Sequence, residues 1–597
     1  MDNDASGWDQ FKRTKLSRKH LLKRAKKVES ATQRHAHRFV IRRLDSMRLV
    51  AHEVTIWLLV VGAIIGGLGL QMVWEKAGYM ASAGATGGTY VEGVVGGIDS
   101  LNPLYVSTNA EASVSRLVFS SLYNYDEKGA LHQDLATGMT IDDAHKVYTV
   151  TLRPNVRWHD GERLTAKDVV YTLNLIKNPA VRSPLRVNWT DVAVSAPNDT
   201  TVQFTLPAVY AAFPHALTFP VVPLHLLKDI APSALHESAF SQSPVGSGPF
   251  AFRLLQQVDS ESQRRVVHLT ANTNYYAGAP KLARFELHPY ADDAAMLRAL
   301  KLGELSGASD VSPLAVNDLG KQFFRVAAAT NSGVYLLLNL NHPLLSELPV
   351  RQALQVGTDT SAVRQAIGGD QLMLDLPVLN SQVSGADVPH APLHSAAKAQ
   401  GILEDAGWRM VNGVRQKDGE KLELTLTTIN DAEYERAIET VEKQWQRLGI
   451  VTHRKVVDTS SLASTFVQDT LQARNYDVLL YELSIGADPD VYAYWHSSQI
   501  GQTGYNFSNY TNKTADANLA SARSRLEPEL RNVKYKQFSK QWLEDVPAIG
   551  LYQPVIEYVS NDNVSAVPKG SQLVTASDRY ANVQYWTVAS GTVYKSP

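Results

Sequence analysis

After one long exception, the chain alternates between two hydrophobic patterns. The exception comes first: Val54 to Trp74 are 21 uncharged, mostly apolar positions in a row. At about 1.5 Å per helical residue the run spans roughly 31 Å, which matches the hydrocarbon core of a bilayer. Trp57 and Trp74 stand near its ends, where indole rings favour the membrane interface. Gly62 and Gly66 give one GxxxG spacing, frequent in such segments whether or not helices pair. Beyond residue 88 the apolar residues recur with short periods. Tyr148 to Leu152, Thr201 to Leu206, Val334 to Leu340 and Leu422 to Thr428 are β-branched or alternating runs and predict strands. Elsewhere the period lengthens. In Tyr434 to Leu448, the residues Ile438, Val441, Trp445 and Leu448 recur three or four apart, which predicts a helix with one apolar face. Ala396 to Ala406 predicts another, stopped by Gly407 as its C-cap. Interleaved strands and helices predict α/β lobes. The residues after Gly88 are enough for two or three of them.

Charge gives the chain a direction. Residues 1–51 hold 14 Lys and Arg against five Asp and Glu, a net +9, so the rest of a chain of formal charge −1 sums to −10. Basic residues beside a span stay on the cytoplasmic side. The tail (1–51) is therefore expected inside, the span (52–75) in the cell membrane as a single pass, and everything later outside the cell. A basic tail could also serve nucleic acid, but its place against an apolar span favours topology and contact with the lipid bilayer; no nucleic-acid partner is expected. A cleaved signal peptide is the competing reading of the span, although its apolar region is usually about 7 to 15 residues long. The linker (76–88), rich in small residues from Ala77 to Gly88, would serve either as the cleavage region of such a signal or as a flexible tether. The chain has no cysteine. Disulfides, thiolate catalysis, Cys-ligated metals and a lipidated anchoring cysteine are all removed.

Few local motifs point to catalysis. Leu152, Val156 and Trp158 read as a strand edge, Asp160 and Gly161 as a tight turn, and Thr165 with Asp168 as a capping box opening a helix. His159 sits beside that tight turn, with no partner acid or nucleophile in reach to work with it, and is expected to be structural. The 17 histidines include no HExxH or close pair for zinc; His215 and His225 are the two that could meet in space. Gly246 and Gly248 lack the Lys-Ser or Lys-Thr that completes a phosphate loop. The chemically richest stretch is Gly486 to Trp495, where Asp488, Pro489 and Asp490 precede Tyr492, Tyr494 and Trp495. A turn of this composition exposes a carboxylate beside ring faces, or else Asp488 and Asp490 cap a helix starting near Val491. As an acid–base pair for a surface hydrolase they are poorly placed, since residues two apart on an extended segment point to opposite faces.

Tyr148 to Tyr171 (YTVTLRPNVRWHDGERLTAKDVVY) resembles the signature of the family 5 extracellular solute-binding proteins, the peptide and nickel binders of ABC importers. The flanks agree in order: Ile98 to Tyr123, Pro244 to Phe250, Asn274 to Leu282, Val350 to Asp359, Ile402 to Trp408 and Tyr476 to Ser497. The likeness covers nearly all of residues 89–560. It implies an α/β, two-lobed periplasmic-binding-protein-like fold of type II with three subdomains. The implied first lobe is 89–330, with an inserted subdomain near 112–245, completed by 558–597; the second is 331–557. It also implies a binding protein without catalysis or cofactor that hands short peptides to ABC transporter permease subunits. In the peptide binders, an aspartate at the position of Asp488 forms a salt bridge to the peptide's α-ammonium. Tyr492, Trp495, Tyr123 and Asn339 complete the expected contacts. Two departures stand out: Glu482-Leu483 replaces a frequent Gly-Trp, and Val491 a frequent proline. A nickel chelate, haem or an oligosaccharide is the alternative ligand, and an anchored ligand sensor the alternative role.

Overall fold

The computed structural model describes residue 23 and residues 50–594, except 259–263, 318, 369, 460–464 and 589. Nearly all of the basic tail, and the topology read from its charge, lies outside the described residues. Contacts divide the chain into two units, Met1–Ala83 with Gly591–Pro597, and Gly84–Ser590.

Among the described residues, the first unit contains one long helix, Ala51–Tyr79. From Ala51 to Trp74 its apolar side chains are exposed around the rod, Trp57 at 69% and Trp74 at 83%. Such a surface is unfavourable in water and suited to lipid. The segment read as a loose tether has regular structure instead. The helix continues to Tyr79, and Met80–Gly84 pairs with Ser590–Tyr594 in a two-stranded sheet. The partner that satisfies this strand's backbone lies at the far end of the chain, where no local pattern could announce it.

The second unit is built on two large sheets. One has the strand order Phe323–Ala329, Val555–Asn561, Gly307–Val311, Thr89–Val95, Arg284–Tyr290, Arg265–Ala271 and Phe250–Gln257. Thr89–Val95 is central and runs parallel to Arg284–Tyr290, with Thr89 opposite Arg284 and Val95 opposite Tyr290. Before the chain returns to this sheet it forms a four-stranded antiparallel sheet from Ala136–Ile141, Val147–Leu152, Thr201–Thr205 and Ala193–Asn198. The signature segment builds one side of it. Gly161 (φ 95°) turns the chain, and Thr165 N–H donates to Asp168 Oδ2 at 2.7 Å to open the helix Ala166–Lys177.

His159 has a structural task. Its Nδ1 accepts from Gly246 N–H at 3.2 Å while Nε2 donates to the Gly248 carbonyl at 3.1 Å. That pattern needs the neutral ring, and burial pushes its pKa down accordingly. Glycine is required in the loop it braces: a Cβ at Gly246 would lie 1.9 Å from the Val118 carbonyl oxygen.

The other large sheet orders Val451–Val457, Glu423–Ile429, Val478–Ser484, Ser332–Leu338 and Ala548–Tyr552. Ser332–Leu338 is buried on both faces, with Val334, Leu336 and Leu338 on one and Tyr335 and Leu337 on the other. Hence its near-continuous apolar sequence. The helix Ala432–Arg447 covers the first face with Ala437, Ile438, Val441 and Trp445. The helices Lys513–Ser524 and Pro528–Asp545 contribute Leu519, Phe538 and Trp542 to the core on the second.

The chain passes between the sheets twice, from Ala329 to Ser332 and from Tyr552 to Val555. The two connectors are tied together. Thr330 N–H donates to the Pro554 carbonyl at 3.1 Å, and Gln553 Nε2 to the Thr330 carbonyl at 2.9 Å. The closing segment then fastens to the seven-stranded lobe through Arg579, whose Nε lies 2.8 Å from Glu92 Oε1 in a pair no more than 1% exposed. Burial raises the Glu92 pKa and the guanidinium opposes it.

Candidate functional site

The Asp488 segment leaves the second lobe's sheet beside a connector. Ile485 and Gly486 donate their N–H groups to the Asn331 carbonyl at 3.0 and 2.9 Å, and Gln382 Nε2 donates to the Gly486 carbonyl at 2.8 Å. Gly486 has φ 81°, so the turn suits glycine. The two aspartates that follow are both ion-paired. Arg531 grips Asp488 with both terminal nitrogens, at 2.7 and 2.6 Å, and the two side chains are 14% and 11% exposed. Arg531 Nε donates in turn to the Ala522 carbonyl at 3.1 Å. Asp490 meets Arg523 Nε at 2.9 Å, and its other oxygen accepts from Tyr492 N–H at 3.4 Å. Both aspartates are thus engaged by a guanidinium, and the N-cap position of the short turn Tyr492–Trp495 falls to Val491, with no side-chain cap.

Three side chains of the first lobe approach this segment. Tyr125 O–H and His215 Nδ1 are 3.0 Å apart. Burial lowers the His215 pKa, Asp488 raises it and Arg531 lowers it further, so the ring senses both members of the pair. The Tyr125 hydroxyl is pushed up by burial and then by Asp578 and Asp488. Tyr210 completes the contact: the Arg523 guanidinium lies 4.8 Å from its ring centre and 4.4 Å from that of Tyr492. Ala211 N–H donates to the Arg523 carbonyl at 3.0 Å. The two lobes therefore meet across a cleft, with Arg523 between an aromatic ring of each. Beside Tyr125, the first lobe holds a cavity of about 230 Å³ lined by residues that include Arg116, Asn124, Thr218 and Asp578.

The other expected contacts separate. Tyr492 is at the cleft, half-buried, its ring stacked on His496 at 4.0 Å. Trp495 is a correction: it is 1% exposed and packs on Trp542 at 5.4 Å and Tyr335 at 6.0 Å, in the lobe's core. The helical turn Tyr492–Trp495 directs it inward beside Val491, four residues earlier and equally buried. Asn339 is a second correction. Its amide donates to the Tyr476 carbonyl at 2.9 Å and its oxygen accepts from Asn509 at 3.0 Å and from Asn341 N–H at 3.2 Å, which leaves little capacity for a ligand. Tyr123 is 7% exposed within the first lobe's core, and its neighbours Asn124 and Tyr125 line the cavity instead. His215 and His225 do not pair; His225 Nε2 is 2.7 Å from Asp160. Sequence reasoning missed Arg523, Arg531, Tyr125 and Tyr210. The arginines lie 33 and 43 positions from the aspartates they hold, and no local pattern marks them.

Comparison with known proteins places this geometry in context. The chain is 28% identical over 517 residues to the oligopeptide-binding protein AppA of Bacillus subtilis, covering 84% of this chain and 92% of that one. The solved structure of AppA in complex with a nonapeptide superposes with a TM-score of 0.71 at 26% identity, covering 85% of this chain and all of that one. The structure of NikZ from Campylobacter jejuni in complex with Ni(L-His) gives a TM-score of 0.72 at 27% identity, covering 84% and 99% of the two chains. The model of the bacterial extracellular solute-binding proteins, family 5 Middle, matches residues 130–505. With well over half its length matched in this way, the chain belongs to the family 5 bacterial extracellular solute-binding proteins.

Proposed function

We propose that this protein captures short peptides outside the cell and delivers them to an ABC importer, held at the membrane by its own N-terminal helix. The observation that carries the reading is the likeness to AppA, named an oligopeptide-binding protein, along 92% of that protein's length. The cleft suits such a ligand. In this reading the peptide lies between the lobes, with its α-ammonium beside Asp488. A carboxylate has about four lone-pair sites, of which the bidentate Arg531 uses two. The remainder are free for an ammonium, while Tyr125 and His215 close the other side. Main-chain hydrogen bonds would supply affinity, and water-lined pockets tolerance for sequence. Anchoring by the Ala51–Tyr79 helix would keep each receptor at a high effective concentration near its permease.

Mass spectrometry of the molecules that co-purify with the full chain tests the ligand class. Peptides are expected; their absence, together with no binding of synthetic peptides in calorimetry, overturns the reading. The likeness to NikZ, solved with Ni(L-His), favours a metal chelate as the second reading, and metal analysis of the same sample separates the two. For the anchor, protease added to intact cells should leave an N-terminally tagged fragment in the membrane. Mature protein released into the medium would exclude a retained helix.

A further inference from the structure

A second group of carboxylates lies on the cleft side of the second lobe, where the parallel strands Glu423–Ile429 and Val478–Ser484 end. Asp431 caps the following helix, accepting from Glu433 N–H at 2.9 Å and Tyr434 N–H at 3.0 Å. Glu433 occupies the first turn. Glu482, from the neighbouring strand, accepts from Tyr434 O–H at 2.8 Å. Unlike Asp488 and Asp490, none of the three forms an ion pair with a described Lys, Arg or His. Asp293 of the first lobe lies near enough for its carboxyl to feel the charge of Asp431.

The neighbours of this group turn donors toward Glu433 but bring no positive charge. Tyr552 is fully buried, and its hydroxyl faces Glu433 without completing a well-formed hydrogen bond. Gln371, 5% exposed, sets its amide beside Glu433, and its Oε1 has no hydrogen-bond partner. Buried polar atoms are normally satisfied, so these two and the unpaired carboxylates leave a place for a donor. Burial and the charges of Asp431 and Glu482 hold the Glu433 carboxyl at about 7. Among the described residues no group of three or more His, Asp or Glu is arranged to hold a metal ion. A positively charged organic group with several donors and no acceptor fits instead, as an alkylammonium or guanidinium does.

We propose that Asp431, Glu433 and Glu482, together with the Tyr552 hydroxyl and the Gln371 amide oxygen, take a basic side chain of the bound ligand. The inference rests on the peptide reading and sharpens it: the protein prefers peptides that contain lysine or arginine.

The test offers the full chain, in lipid nanodiscs, an equimolar library of random hexapeptides with free amino termini, and reads the captured pool by mass spectrometry. Every member carries an α-ammonium, so that group cannot bias the pool. Lysine and arginine should be enriched by about tenfold over the input. In the double variant Glu433→Gln, Glu482→Gln the enrichment should vanish while neutral peptides are still captured; the glutamine at 482 keeps an acceptor for Tyr434. Thermal unfolding checks that the variant is folded, and Glu433→Gln alone serves if it is not. Capture by wild type with lysine and arginine at their input frequency overturns the subsite and leaves the peptide reading standing. Capture of no peptide at all overturns both.

Discussion

The second lobe presents two sets of carboxylates to the cleft, and they differ in what neutralises them. Asp488 and Asp490 sit in the motif that attracts attention in the sequence, yet each is held by an arginine of its own lobe, at 2.6 and 2.9 Å. Asp431, Glu433 and Glu482 belong to no motif and have hydroxyls and an amide for company. A paired carboxylate presents little net charge to a ligand, whereas an unpaired one keeps its full demand for a cation. The conspicuous acids therefore offer a ligand only the carboxylate sites that their arginines leave free, and the inconspicuous ones are where a cation would gain most.

Breaking the paired side should have the largest effect. Arg531→Met leaves Asp488 nearly buried without its partner and should cost about 3 to 5 kcal/mol, read as a lower denaturation midpoint. A loss below about 1 kcal/mol, the range of exposed pairs, would mean that water relieves Asp488 and that the two sets are alike. Asp488→Asn should weaken peptide binding by about 10- to 100-fold, equivalent to about 1.4 to 2.8 kcal/mol, for basic and neutral peptides alike. Calorimetry with Ala-Ala-Ala and Ala-Lys-Ala would expose any difference.

The unpaired side should respond to pH. Its Glu433 carboxyl, raised by burial and by Asp431 and Glu482 to about 7, is faced also by the Tyr552 hydroxyl and the Gln371 amide, while the Tyr434 hydroxyl is held by Glu482 and Asp293 faces Asp431 from the first lobe. A raised folded-state pKa means that the group's contribution to stability is complete below its ordinary value of 4.5 and is lost as pH rises through about 7. The melting temperature should therefore fall from pH 6 to pH 8, and less so in Glu433→Gln. A bound basic peptide should reverse the trend and release protons at pH 7, which calorimetry in buffers of different ionisation enthalpy detects. The smallest effect is expected at Arg523→Lys. That substitution keeps the charge but loses the planar group between Tyr210 and Tyr492, worth about 1 kcal/mol. Its readout is a larger radius of gyration in small-angle scattering without ligand.

Much of the scaffold was legible because local pattern and tertiary burial coincide there. The spacing of Ile438, Val441 and Trp445 marks the buried face of the helix Ala432–Arg447, and Gly407 (φ 92°) ends the helix Ala396–Asp405. The Asp168 cap forms where Thr165 foretells it. The cleft was harder to read because its partners are distant in sequence. Nothing near Asp488 announces Arg531, and nothing near Glu433 announces Tyr552 or Gln371. Trp495 misled in another way. Aromatic residues after the aspartates suggest a wall for ligand, but Val491 and Trp495, four apart and both buried, share the inward face of the turn.

The two connectors bear on how the molecule can deform. Thr330 and Gln553–Pro554 are stitched side by side, by bonds of 3.1 and 2.9 Å, into a short two-stranded ribbon. A ribbon of this kind bends across its broad face and is stiff within its own plane, as a steel tape is. The ribbon is itself flanked, Thr330 by a bridge to Leu573 and Gln553 by one to Leu372, so bending it means bending four neighbouring stretches of backbone together. Any hinge motion would have to pass through these paired connectors, which would hold the register in which Arg523 faces Tyr210.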